Sequence, residues 1–307
     1  MERENDRFEF VVTDEYEGLR IDKLISELMD SLSRSYIKKL IDDDKVKCNE
    51  KSVKASYNVS EGDRIELEIP PLEVPEIVPQ DIPLDILYED NDVLIVNKPK
   101  DMVVHPAAGH YEGTIVNAVM YHCKDNLSGI NGVMRPGIVH RIDKDTTGSV
   151  IICKNDNAHI KIAEQLKEHS INRVYHAICH GVIKEDEGDI DAPIGRSQTD
   201  RKKMAIVEGG KEAITHYRVL ERLNGYTFCE FKLETGRTHQ IRVHMASLHH
   251  PLLGDEVYGP KKCPIKGLEG QTLHAWKIGF VHPTSGEYME FEAPIPEYFQ
   301  KLLNRLK

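Results

Sequence analysis

Apolar residues along the chain recur at two spacings, and the change from one to the other marks its elements. Ile21, Leu24, Ile25 and Leu28 repeat at helical spacing. Ser33 stands where an N-cap is wanted, ahead of a second amphipathic helix in which Ile37, Leu40 and Ile41 are predicted to face inward. Val46 to Cys48 and Arg64 to Ile69 read as strands around turns at Asn49-Glu50 and Glu61-Gly62-Asp63. Pro70, Pro71, Pro75, Pro79 and Pro83 follow. Proline fixes φ, removes a backbone donor and ends regular structure, so a domain boundary is expected there.

Beyond Ile82 strands and helices mix. Strands are predicted at Asp92 to Asn97, Ser149 to Lys154, Arg173 to Gly181, Ile214 to Leu223, Tyr226 to Glu234 and Leu273 to Val281. Helices are predicted from a Thr114 cap to Cys123, from Asn157 to His169, from a Thr238 cap to His249 and from Glu297 to Leu306. Short turns between successive strands, as at Asn224-Gly225, imply antiparallel pairing. The expected class is α+β: a mixed, largely antiparallel sheet domain over 82–307 and a small α/β domain over 18–68, with an acidic segment 1–17 and a Pro-rich linker 69–81.

Composition narrows the setting. The 307 residues are 40% hydrophobic and 30% charged, with no apolar run of a length that crosses a membrane, so no membrane association is expected. The acidic N-terminus lacks the apolar core of a signal peptide, and the six cysteines include no C-x-x-C pair. A reduced cytoplasm is the expected location. A net charge of −11 argues against a polyanionic partner until its distribution is considered. Residues 1–17 carry two basic and seven acidic side chains, and 69–81 carry three acids and no base. Residues 18–68 hold ten bases against eleven acids, and 82–307 hold 28 against 30. The repulsion sits in the tail and linker, which leaves nucleic acid open as a partner. No coiled-coil seam is present in the sequence, so a monomer is expected.

The most informative polar stretch is His140-Arg141-Ile142-Asp143-Lys144-Asp145-Thr146-Thr147-Gly148, directly before an apolar strand. It presents Asp143 at the edge of a rigid element, the usual setting of a catalytic group. An ordinary Asp-rich turn closed by Gly148 is the plain alternative. In Glu234-Thr235-Gly236-Arg237-Thr238-His239-Gln240-Ile241-Arg242, helical periodicity separates Arg242 from the apolar face and points it outward. There it can fix a carboxylate with two parallel hydrogen bonds, although a phosphate-binding or structural arginine accounts equally for the pattern. In Arg173-Val174-Tyr175-His176-Ala177-Ile178, alternation sets Tyr175 opposite Val174 and His176, so its ring can stack on a base or fill a core. Arg196, Arg201, Lys202 and Lys203 form a basic loop that is either solvated or in contact with phosphates. The histidines have no metal-ligand spacing, and no phosphate-cradling, dinucleotide-binding or nucleophile-elbow glycine motif occurs.

Taken together and in order, Asn97-Lys98-Pro99, Val104-His105-Pro106, His140-Arg141-Ile142-Asp143 with Thr147-Gly148, Tyr175-x-Ala177, Gly236 to His244 and Pro251-Leu252-Leu253-Gly254-Asp255 resemble the pseudouridine synthases that modify structured RNA without a guide, of the large-subunit ribosomal RNA synthase D type. Arg20-Ile21-Asp22-Lys23-Leu24 and Ser33-Arg34-Ser35 resemble the small RNA-binding module of ribosomal protein S4. The resemblance implies the pseudouridine synthase fold behind an S4-like domain and structured RNA, large-subunit ribosomal RNA in particular, as partner. It makes Asp143 the essential carboxylate and Arg242 its partner. Tyr175 becomes the ring packed against a flipped uracil, and Arg141 the arginine that enters the RNA stack. RNA contacts are then expected from His140, Arg237, Arg196, Arg201 and Lys202, and from Arg20, Lys23 and Arg34 in the small domain. Ile142 replaces the usual leucine and Thr147 the frequent serine, both without change of chemical type.

The implied reaction breaks C1′–N1, turns the bound uracil and joins C5 to C1′. It is redox-neutral, so neither cofactor nor metal is expected. It requires an anionic group near the sugar, which Asp143 supplies by attack at C1′ or by assisting a glycal route in which Tyr175 helps remove the C2′ proton. A non-catalytic RNA-binding ribosome-assembly factor on the same fold is the alternative. A carboxylate-based hydrolase is a third reading, weakened because such enzymes pair two carboxylates across the bond and Asp145 has no motif support.

Overall fold

The computed structural model describes residues 6–29, 32–69, 77–106, 110–124, 126–130, 135–200 and 203–307. The chain divides into two compact units at 75/76.

The small unit runs β1 (Asp6–Val11), α1 (Ile21–Leu28), α2 (Arg34–Asp42), β2 (Val46–Cys48), β3 (Lys51–Ser52) and β4 (Arg64–Ile69). Its strands form one antiparallel sheet in the order β1-β4-β2-β3. Ile21, Leu24 and Ile25 from α1 and Ile37, Leu40 and Ile41 from α2 are buried against Val46, Ile65 and Leu67. The Ser33 hydroxyl caps α2 by accepting from the Tyr36 amide. Two expectations are corrected. Residues 6–11 are not an acidic tail but a strand paired along its length with β4. Its alternation of Phe8 and Phe10 with Arg7 and Glu9 is outweighed in composition by the surrounding acids. Leu28, grouped by spacing with the inward-facing Ile21, Leu24 and Ile25, is 43% exposed at the last position of the helix.

The large unit contains β5 (Ile86–Glu89), β6 (Val93–Lys98), α3 (Ile115–Cys123), β7 (Thr147–Cys153), α4 (Asp156–Lys167), β8 (Asn172–His180), β9 (Glu187–Asp191), β10 (Ile194–Arg196), β11 (Met204–Ile206), β12 (Ile214–Leu223), β13 (Tyr226–Leu233), α5 (Gln240–Ser247), β14 (Leu273–Val281), β15 (Tyr288–Glu292) and α6 (Glu297–Leu306). Nine strands make one sheet, ordered β5-β6-β7-β14-β8-β13-β12-β9, with β15 paired to β14. Every pairing in it is antiparallel except β7 with β14. Strands β10 and β11 form a separate hairpin.

Alternation along the central strands distributes the helices over both faces. Val150 and Ile152 of β7 pack with Ile115, Val116 and Val119 of α3, while Ile151 and Cys153 pack with Ala158 and Ile162 of α4. On β8, Ala177 and Cys179 meet Ile241 and Met245 of α5, and Ile178 meets Phe299 and Leu303 of α6. Tyr175 touches both the α3 and the α5 clusters. It therefore stands at the seam between them, half-buried, where the face under two helices opens.

Candidate active site

The turn before β7 is fixed from three sides. The Thr146 amide donates to the Asp143 carbonyl at 3.1 Å and closes the turn. Gly148 follows at φ +108, and a Cβ there would collide with the Ala275 backbone of the parallel neighbour β14. Only glycine allows that approach of the strands. From β6, the fully buried Lys98 ammonium donates to the carbonyls of Pro99, Met102 and Lys144, each at 2.8 Å. The last of these lies next to Asp143. Burial pushes the Lys98 pKa down to about 7, against the pull of Asp145, Asp143 and Asp101.

Arg242, on α5, meets Asp143 from the other side. Its Nη1 donates to Asp143 Oδ2 at 2.8 Å, across 99 residues of sequence. Its Nε and Nη2 form a bidentate pair with Asp255 Oδ2 and Oδ1 at 2.7 and 3.0 Å. Asp255 Oδ1 also accepts from the Val257 and Tyr258 amides. Burial opposes both charges, yet the pairing wins. The hydrogen bond to Asp255 and the charges of Asp143 and Asp255 raise the Arg242 pKa, and Arg242 holds Asp255 below the usual carboxylate range. Arg242 is thus buried between two carboxylates, and the outward direction expected from periodicity is corrected. The face of α5 that carries it is covered by the loop bearing Asp255 and Tyr258, whose ring lies 5.2 Å from the guanidinium.

The start of α5 also differs from expectation. Thr238 is not its cap. His239 occupies that position at φ 59, and the turn before it is held by the Gln240 side chain, which accepts from the Arg237 amide and the Thr235 hydroxyl. The Tyr258 hydroxyl accepts from the Met204 amide at 2.9 Å and shares a 2.8 Å hydrogen bond with His239 Nδ1. The other ring nitrogen, Nε2, faces Asp143 Oδ1 at 3.8 Å. Burial lowers the His239 pKa, so the ring is neutral at pH 7.

Arg141, Asp143, Tyr175, Arg237, His239 and Arg242 line one pocket, with Leu233 and Leu273 as apolar walls. Arg141 is exposed at its mouth and reaches His105 Nε2 at 3.2 Å. Burial raises the Tyr175 pKa, Arg173 acts against that and Asp143 reinforces it. The phenol is neutral and suits stacking better than proton abstraction.

Other expected contacts lie elsewhere. His140 Nε2 accepts from the Ile151 amide at 3.0 Å, and burial beside Arg173 lowers its pKa to about 3. Its ring braces β7. Arg196 is exposed at the end of β10, in a hairpin and not in a loop, tied to the pocket through Met204 and Tyr258. Arg201 and Lys202 lie outside the described residues. In the small unit, Arg20 and Arg34 converge on Asp22, at 3.0 and 3.1 Å, and Lys23 pairs with Glu27 at 3.5 Å. Asp255, His239 and Lys98 were given no role by sequence reasoning, although all three fall inside quoted motifs. Their partners are distant in sequence, so no local spacing reveals them.

With this geometry in hand, comparison with known proteins is direct. The sequence model described as RNA pseudouridylate synthase matches residues 92–247, and that described as the S4 domain matches 19–65. The chain is 48% identical over 301 residues to an uncharacterized RNA pseudouridine synthase of Bacillus subtilis (strain 168), covering 98% of each. It is 46% identical over 305 residues to the ribosomal large subunit pseudouridine synthase D of Zymomonas mobilis, covering 96% of each. Among solved structures, human RNA pseudouridylate synthase domain containing 1 superposes with a TM-score of 0.58 at 26% identity, over 74% of this chain and 96% of that one.

Proposed function

The chain belongs to the RNA pseudouridine synthase family, and from that premise we propose that it isomerises particular uridines of large-subunit ribosomal RNA to pseudouridine with the Asp143 carboxylate at the reacting sugar. The observation that carries the proposal is the hold on Asp143. Arg242 takes Oδ2, while Oδ1 has no hydrogen bond among the described residues and stands in a pocket shared with Tyr175 and Arg141. A carboxylate fixed through one oxygen and open at the other can approach C1′ without first reorganising.

The remaining steps fall to neighbouring side chains. Taking a uridine out of its stack costs a few kcal/mol, which contacts in the pocket must offset. In this reading Arg141 fills the vacated space and Tyr175 receives the uracil face. With C1′ engaged, N1 leaves, the uracil turns against the Tyr175 ring and C5 bonds to C1′. The proton lost from C5 balances the one gained at N1, so no electron acceptor enters. The S4-like unit supports the RNA assignment, since Arg20 and Arg34 share the single carboxylate of Asp22 and leave positive charge on an exposed face. Relatives whose names specify the large ribosomal subunit, at 42–46% identity over nearly the whole chain, support the substrate.

The decisive variant is Asp143→Asn, which keeps the volume and the Arg242 hydrogen bond. Purified with unmodified large-subunit ribosomal RNA, it is expected to fold, bind RNA and form no detectable pseudouridine. Isomerisation at the wild-type rate would overturn the role of Asp143. Release of free uracil would favour a hydrolase.

A further inference from the structure

A second cavity, of about 470 Å³, opens beside the Asp143 pocket and shares Arg141, Tyr175, Leu233 and Arg237 with it. Its remaining polar side chains are Lys167 and His169 at and just beyond the end of α4, the neutral His140, and Arg173 on β8, with no carboxylate among the lining residues. Arg173 is the unusual member. It is only 8% exposed; Nη2 donates to the Glu234 carbonyl at 2.8 Å, and Nε has no hydrogen-bond partner among the described residues. A buried guanidinium without a carboxylate is costly, and the usual remedy is an anion supplied from outside. Gly236 makes room for the guanidinium, since a Cβ there would collide with Arg173 Nη1, and both residues line the open cavity. Burial lowers the Arg173 pKa, Tyr175 raises it and the adjacent Arg237 lowers it further, so the charge is strained in the absence of a partner.

We propose that this cavity is a phosphate subsite, in which Arg173, Lys167 and Arg237 take a backbone phosphodiester of the RNA strand next to the uridine held against Tyr175. The inference rests on the proposed function, since it identifies the anion as substrate backbone. Tyr175 borders both cavities, so a base stacked on its ring has its own sugar-phosphate chain within reach of the second. A guanidinium offers a planar edge that matches two phosphate oxygens, which a lysine does not reproduce. Contacts of this kind set the register of the strand, and through it which uridine reaches Asp143.

The test is the salt dependence of binding to an unmodified transcript of large-subunit ribosomal RNA, for wild type, Arg173→Gln and Lys167→Gln. Each variant is expected to flatten the plot of log affinity against log salt by about 0.7 to 0.9, the value of one phosphate contact. Each should also raise KM more than it lowers kcat. Lys167 is exposed, so its variant remains informative if Arg173→Gln fails to fold. Wild-type slopes and KM in a folded Arg173→Gln, or in Lys167→Gln where the other does not fold, would overturn the subsite. Absence of pseudouridine from the wild-type reaction counts instead against the proposed function, because the slope is read from binding alone.

Discussion

Arg242 reaches Asp143 with one terminal nitrogen because its other edge is held by Asp255, whose side chain is completely buried. Asp255 does no chemistry, but it decides where the guanidinium stands and so where Asp143 points. Removing one member of a buried pair leaves the other charge uncompensated, which costs about 3 to 5 kcal/mol. Asp255→Asn is therefore expected to lower stability by about 3 kcal/mol in urea unfolding and to reduce kcat sharply with little effect on RNA affinity. Full activity in that variant would show that Asp143 is placed by its own turn. Arg242→Lys should not rescue, since an ammonium cannot bridge two carboxylates in this geometry. At this scale the sequence singled out Asp143, Tyr175 and Arg242, which the fold brings to one pocket. Asp255 was not legible, because it became meaningful only once a loop folded over α5.

Elements show a similar division. Strands buried on both faces, such as β7 and β8, announce themselves as apolar runs, and α6 begins and ends where its periodicity does. The edge strands β5, β9 and β15 were not legible, being short and half exposed, with pairing supplied by their neighbours. Strand β1 was missed for a different reason, since its apolar alternation is embedded in acids that read as a tail. Its register gives an expectation: deleting residues 1–12 removes one of the two partners of β4. Hydrogen exchange of the β4 amides should then accelerate and the small unit lose stability, whereas unchanged protection would mean that β1 is dispensable. The start of α5 was misplaced because Thr238 has the right chemistry for a cap, while His239 in a left-handed conformation, with Gln240 reaching back, satisfies the turn instead.

For the molecule as a whole, three histidines tie stability to pH. Burial, with Arg141 and then Arg135 adding to it, takes the His105 pKa from 6.5 to about 4. Burial takes that of His274 to about 4 and, with Arg173, that of His140 to about 3. A folded pKa below the unfolded one means that the stability is fully present above pH 6.5 and is lost as pH falls toward 4 and below. His140 braces β7 through the Ile151 amide, and His274 holds the Thr147 hydroxyl, so protonation loosens the strand that carries the Asp143 turn. Stability should drop by a few kcal/mol between pH 6.5 and 4, and a flat urea midpoint over that range would contradict this origin. His216, raised by Asp189 and Glu234, works in the opposite sense, but at 35% exposure its effect is screened. Deleting residues 1–75 should weaken binding to structured RNA more than it slows isomerisation in bound RNA, and unchanged affinity and site selection would refute an RNA-binding role for the small unit. The central claim joins Asp143 to uridines of the large ribosomal subunit, and its most direct test is a pseudouridine map of that RNA from cells carrying the wild-type gene, no gene, or Asp143→Asn alone. Positions modified in the first and missing from both others are the predicted result; identical maps in all three would contradict it.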